Sequence, residues 1–177
     1  MPGLTPGVMD FMPRSSLLPA LVVLLLAAAM FILLSGSALP PVVASHFTVS
    51  GDANGFMPRR LYLGFMLALM VGLPLLLMFA HGAVRFLPPR FINLPHREYW
   101  LAPERLAATL AFLQAQSTYL AALLAIFLCF VHWLVVRANA VQPPRLPGPL
   151  FVAGLVLFLL ALVVWIDAFL VHFRRRA

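Results

Sequence analysis

Four long apolar stretches, at residues 17–38, 61–80, 117–136 and 150–171, constrain this chain more than any motif in it. Each matches the ~20 residues that a helix needs to cross roughly 30 Å of hydrocarbon. Backbone amides in lipid must find partners inside their own segment, so spans of this length are helices. Composition agrees: 63% of the 177 residues are hydrophobic and 10% are charged, against roughly 25% charged in a soluble domain. Mean hydropathy is +1.02. The expected fold is all-α, an integral membrane four-helix bundle. It forms one domain over residues 1–177, with an outer loop at 39–60 and an inner loop at 81–116.

The first stretch, between Arg14 and the small residues Ser35 to Ala38, also has the layout of a secretory signal. Its apolar part exceeds the ~7–15 residues of such a segment, so it is expected to be retained. Cys129, the single cysteine, lies inside the third stretch and cannot form an internal disulfide.

Charge sets the expected orientation. With the N-terminus in the cytoplasm, Arg14, Arg85, Arg90, Arg97, Arg105, Arg174, Arg175 and Arg176 fall inside, and Arg59, Arg60, Arg137 and Arg145 fall outside. Positive charge concentrates on cytoplasmic loops, so both termini are expected there. The formal charge of +7 is spread over span ends rather than along one stripe. Contact with anionic lipid head groups is therefore expected, and no nucleic acid.

Proline and glycine punctuate the outer loop. Pro40 and Pro41 should end the first helix, and Pro58 should open the second at its first helical position. Between them, Ser50-Gly51-Asp52-Ala53-Asn54-Gly55 forms a turn cluster, with Asn54-Gly55 suited to a tight reversal. Alternation in His46-Phe47-Thr48-Val49 predicts a short extended piece. Pro74 should kink the second span.

In the inner loop, Pro103-Glu104 marks a helix start, with a carboxylate near the positive end of the helix dipole. From there to Gln116 the pattern predicts an interfacial amphipathic helix segment before the third span. Tyr99 and Trp100 fit the aromatic belt at a membrane surface.

Several separated motifs carry a resemblance. Leu39-Pro40, Val43-Ala44-Ser45-His46-Phe47, Gly51 and Asn54-Gly55-Phe56 resemble a pattern in a bacterial domain of unknown function, which also forms the N-terminal part of SdpI-type immunity proteins. Ile92-Asn93-Leu94-Pro95, Tyr99 to Arg105, His132 and Ala138-Asn139 are similar to a short subgroup of these proteins. The resemblance implies a bacterial inner-membrane location and a loop motif at His46, Gly51, Asn54 and Gly55. It implies a second motif at Asn93, Tyr99 and Trp100, and no catalytic role. SdpI-type members combine immunity to a secreted peptide toxin with signalling to a repressor. They carry further spans beyond this unit, more than the four expected here.

The chemistry offers few active groups. His46 is a proton carrier or metal ligand by residue type, and Asp52 is the one carboxylate in its loop. His81, His96, His132 and His172 are scattered, with no HExxH or paired-cysteine spacing, so no metal and no cofactor is expected. His46 should hydrogen-bond the backbone of its own turn. Glu98 and Glu104 are flanked by Arg97 and Arg105 and should form local ion pairs. Five acidic residues offer few combinations for a catalytic pair, so no enzyme is expected.

Two polar groups lie within the spans. His132 should bond between helices, together with the polar run Gln114 to Tyr119 at the other end of its span. Asp167, two turns before Arg174, should face protein or water, because a carboxylate in hydrocarbon is costly. The expected function is binding of another membrane protein or a peptide, of the immunity or sensor type. The rival is an accessory subunit of a larger membrane complex, packed through Ala27 to Ala29, Ala121, Ala122 and Ala125.

Overall fold

The computed structural model describes residues 14–88 and 91–174, with the backbone alone for residues 14–16, 81, 82 and 85. Arg90, Arg175 and Arg176 lie outside the described residues, as do the side chains of Arg14, His81 and Arg85.

The four apolar stretches become α1 (Arg14–Gly36), α2 (Arg59–Ala83), α4 (Pro103–Asn139) and α5 (Gly148–Arg174). All four are long and apolar enough to cross a membrane, which makes the chain a multi-pass membrane protein. Its outer surface agrees: Leu26 is 66% exposed and Phe79 is 76% exposed, an arrangement that suits lipid as the surrounding solvent. Helices α1, α2 and α4 pack on one another, and α5 leans chiefly on α4. The core between the first three holds Ile32, Met66, Met70, Ala125 and Val135.

Pro103 opens α4 at the start of the helix, as its missing amide allows. The segment from Pro103 to Gln116 is helical and runs without a break into the third span, giving one helix of 37 residues. At 1.5 Å per residue this is roughly 55 Å long, so one end of α4 stands well clear of a ~30 Å hydrocarbon layer. A single turn, α3 (Arg97–Trp100), precedes it. Pro74 sits inside an α2 that continues to Ala83.

The loop between α1 and α2 is a two-stranded antiparallel hairpin, β1 (Val42–Phe47) and β2 (Ala53–Pro58). The extended piece therefore begins earlier than the alternation at His46 suggests. Two further expectations are corrected here. The reversal falls at Thr48 to Asp52, where Gly51 N donates to Thr48 O and Thr48 N donates to Asp52 O, 2.9 Å each. Asn54 and Gly55 are in the body of β2, with Gly55 opposite His46. Pro58 ends β2 rather than opening α2. The register explains why a proline fits there: Arg59 N donates to Pro41 O at 2.9 Å, so the neighbouring pair Val42–Pro58 is the type whose amides point away from the partner strand.

Candidate functional site

Asn139, at the last turn of α4, holds the hairpin to the bundle. Its Oδ1 accepts from Ala44 N and its Nδ2 donates to Ala44 O, 2.9 Å each. The amide side chain thus imitates a neighbouring strand along the outer edge of β1. Nδ2 also donates to Val135 O at 2.9 Å, which fixes its rotamer. Ala44 is fully buried, so these backbone groups would otherwise lose a partner that water cannot replace.

Gly51 makes a second attachment. Its φ of +90° lies in the left-handed region, and a Cβ there would stand 2.6 Å from Leu146 O. Leu146 N donates to Gly51 O at 2.8 Å, tying the hairpin tip to the segment between α4 and α5. Asp52 receives a hydrogen bond from Ser50 Oγ at 2.8 Å and pairs with Arg145 Nε at 3.5 Å. Both partners of that pair are well exposed, which makes it a weak tether.

His46 and Asp52 have different partners. The His46 ring Nδ1 lies 3.0 Å from Ser45 Oγ, so it bonds a neighbouring side chain and not the turn backbone, correcting the expectation. Gly55 gives that ring room: a Cβ there would stand 2.9 Å from His46 Cβ. His46, Asn54 and Phe56 are exposed on the hairpin. The parity that directs Ala44 toward Asn139 directs the N–H and C=O of Phe56 to the opposite edge of β2. Among the described residues no backbone group pairs with that edge.

Beneath the hairpin, His132 bridges three helices. It is fully buried, with Nε2 at 2.9 Å from Ser35 Oγ on α1 and Nδ1 at 3.0 Å from Tyr62 Oη on α2. Ser35 Oγ donates its only proton to Phe31 O at 2.6 Å. Nε2 must then carry a proton and donate to Ser35, and Nδ1 must accept from Tyr62. A serine nucleophile needs the opposite polarity, with its hydroxyl donating to the imidazole. The arrangement is a chain of neutral hydrogen bonds joining α1, α2 and α4. Arg59 closes the same end of α1, donating to Leu39 O at 2.8 Å and Ser37 O at 3.3 Å.

At the far end of the bundle Trp100 is held by packing. Its Nε1 donates to Phe173 O at 3.3 Å, and Thr109 Oγ1 donates to Trp100 O at 2.7 Å. Phe112 stacks on His172 with 3.6 Å between ring centroids. Arg105 lies over the Tyr99 ring at 3.8 Å. Trp100 therefore ties α3 to the end of α5. Glu98 and Glu104 are exposed, and the ion pair found among the described residues is Asp52–Arg145. Asn93, His96, Arg97 and Glu98 line an open hollow of about 660 Å³, where His96 adopts a φ of +50°.

Asp167 does not face protein. It is exposed on α5, while Trp165, whose Nε1 donates to Gln116 O at 3.0 Å, marks the face that meets α4. Ala28, Ala121 and Ala125 are buried within the bundle and pack this chain's own helices, Ala29 and Ala122 are half-buried, and Ala27 is exposed on α1.

The sequence reading named His132, Asp52 and Gly51 but missed their partners Ser35, Tyr62, Arg145 and Leu146. One signal was available for Ser35 and Tyr62: each is a polar residue near the same end of an otherwise apolar stretch as His132.

No protein-family model matches this chain, and neither the curated proteins nor the solved structures include a match to it.

Proposed function

We propose that this chain is a non-enzymatic bacterial inner-membrane protein, related to the SdpI-type family, that binds a protein or peptide outside the membrane in an immunity or sensor role. One observation carries the reading: Asn139 locks β1 to α4, while the edge of β2 at Phe56 stays open. A fixed strand with unpaired amides and an exposed aromatic suits the addition of an extended peptide as a third strand. The hairpin end carries Arg59, Arg60, Arg137 and Arg145, and the reading places it outside with both termini in the cytoplasm. Arginines at the opposite end meet anionic lipid head groups.

The test is gentle detergent extraction of the native protein, native-mass separation and identification of what travels with it. Release of a small extracytoplasmic peptide or protein from the purified species supports the reading. A protein that migrates alone and binds nothing added from the outside opposes it.

A second reading, an accessory subunit of a larger membrane complex, is favoured by the position of α5 at the margin of the bundle. Steady migration with one large complex supports this reading.

A further inference from the structure

The outward face of α5 carries a carboxyl group where lipid should be. Phe158 stacks on Phe127 of α4 with 4.3 Å between centroids, and Trp165 bonds Gln116, so these residues define the side turned to the bundle. At 100° per residue, Val156, Leu160, Val163 and Asp167 fall within one narrow stripe on the opposite side. All four are exposed. Asp167 stands seven residues, roughly 10 Å, from Arg174 and so within the apolar part of the helix. Among the described residues it has no ion pair. Aspartate has one methylene and cannot reach the interface as lysine or arginine can. A carboxyl group costs a few kcal/mol at mid-bilayer on insertion scales and less toward the end of a span, where Asp167 lies six residues past the midpoint of α5, and such groups ordinarily have a partner.

We infer that the stripe Val156, Leu160, Val163 and Asp167 is the docking face for a membrane-spanning helix of a different protein, one that carries an arginine or lysine level with Asp167. The inference rests on the accessory-subunit reading and adds the chemistry of the partner. Charge complementarity selects the cation. A second copy of this chain is a poorer fit, because the outward described side chains level with Asp167 carry no charge: Gln114 on α4, Leu18 on α1 and Phe79 on α2. Leu18 shares a hollow with Ala115, one residue from the Trp165 anchor at Gln116, and Phe79 follows Met78, which Thr118 contacts.

The test places a photo-activated cross-linking residue at Val163 in native membranes, with the same residue at Val23 on α1 as a lipid-facing control, and sequences the cross-linked peptide. The expected result is an adduct at position 163 with an apolar segment of another protein that has a basic residue within about one helical turn of the linkage. Asp167→Asn should reduce that adduct at least about tenfold while the protein's own melting is unchanged. Asp167→Arg should abolish it, and exchanging the partner's cation for aspartate should restore it. Three results overturn the inference: an adduct with a second copy, an adduct insensitive to Asp167→Asn, or lipid adducts like those at Val23. The second leaves the subunit reading standing, whereas the third removes both.

Discussion

Asn139 and Ala44, 95 residues apart in sequence, exchange two hydrogen bonds of 2.9 Å, so one amide side chain completes the edge of a strand. The hairpin is therefore attached to the bundle through its backbone, and surface charge has little part in it. Removing the amide by Asn139→Leu leaves the buried N–H and C=O of Ala44 without partners. The expected loss is about 2–4 kcal/mol of stability, with faster amide hydrogen exchange at Val43 and Ala44. Hydrogen exchange in lipid nanodiscs checks this, and unchanged protection would contradict it.

The buried chain Tyr62–His132–Ser35 predicts strong coupling. His132→Leu strands the Tyr62 hydroxyl, removes the donor to Ser35 and leaves a misfitted buried site, and should cost about 2–4 kcal/mol, whereas Tyr62→Phe removes one donor and should cost about 1 kcal/mol. In the double variant the two losses should fall short of their sum, because Tyr62 has nothing to lose once the imidazole is gone. Unfolding of the four proteins in mixed micelles measures the coupling, and simple additivity would mean that the bridge is absent.

At the hairpin tip two attachments should separate by size. Gly51→Ala forces a Cβ against Leu146 O in a left-handed conformation, and should cost about 1–3 kcal/mol. Asp52→Asn touches an exposed ion pair and should cost less than about 1 kcal/mol. Thermal denaturation in detergent ranks them, and equal losses would show that the tip is held by charge.

Val49 sits at the hairpin tip, fully exposed to its surroundings. In a Cys129→Ala background, Val49→Cys should react with a membrane-impermeant maleimide in right-side-out vesicles and be protected in inverted ones. The reverse pattern would place the hairpin in the cytoplasm and reverse the arginine argument.

The spans were legible because lipid imposes one requirement on ~20 successive residues. All four helices cover the expected apolar stretches almost completely, and His132 was recognised as a polar group that needs a partner. The hairpin was less legible because its determinants are not local. Asn54-Gly55 carries the local signature of a tight turn, yet Gly55 is there for the His46 ring packed across the ladder, and the turn falls at Gly51. Pro58 looks like a helix start, but its missing amide points off the open edge of β2. Asn139 is ordinary in sequence and acquires its role once α4 brings it beside β1. Asp167 was expected to face protein or water, and the α4-facing aromatics Phe158 and Trp165 turn it away from the bundle.

The most direct test of the account is a photo-activated cross-linking residue in place of Phe56, in intact cells, with the adducts digested and sequenced. The account predicts one recurrent adduct, with an extended segment of a protein or peptide on the outer side, which Asn139→Leu greatly weakens by releasing the strand. Lipid adducts alone, or a scatter of unrelated proteins matching that from Val23, would contradict the hairpin as a binding surface.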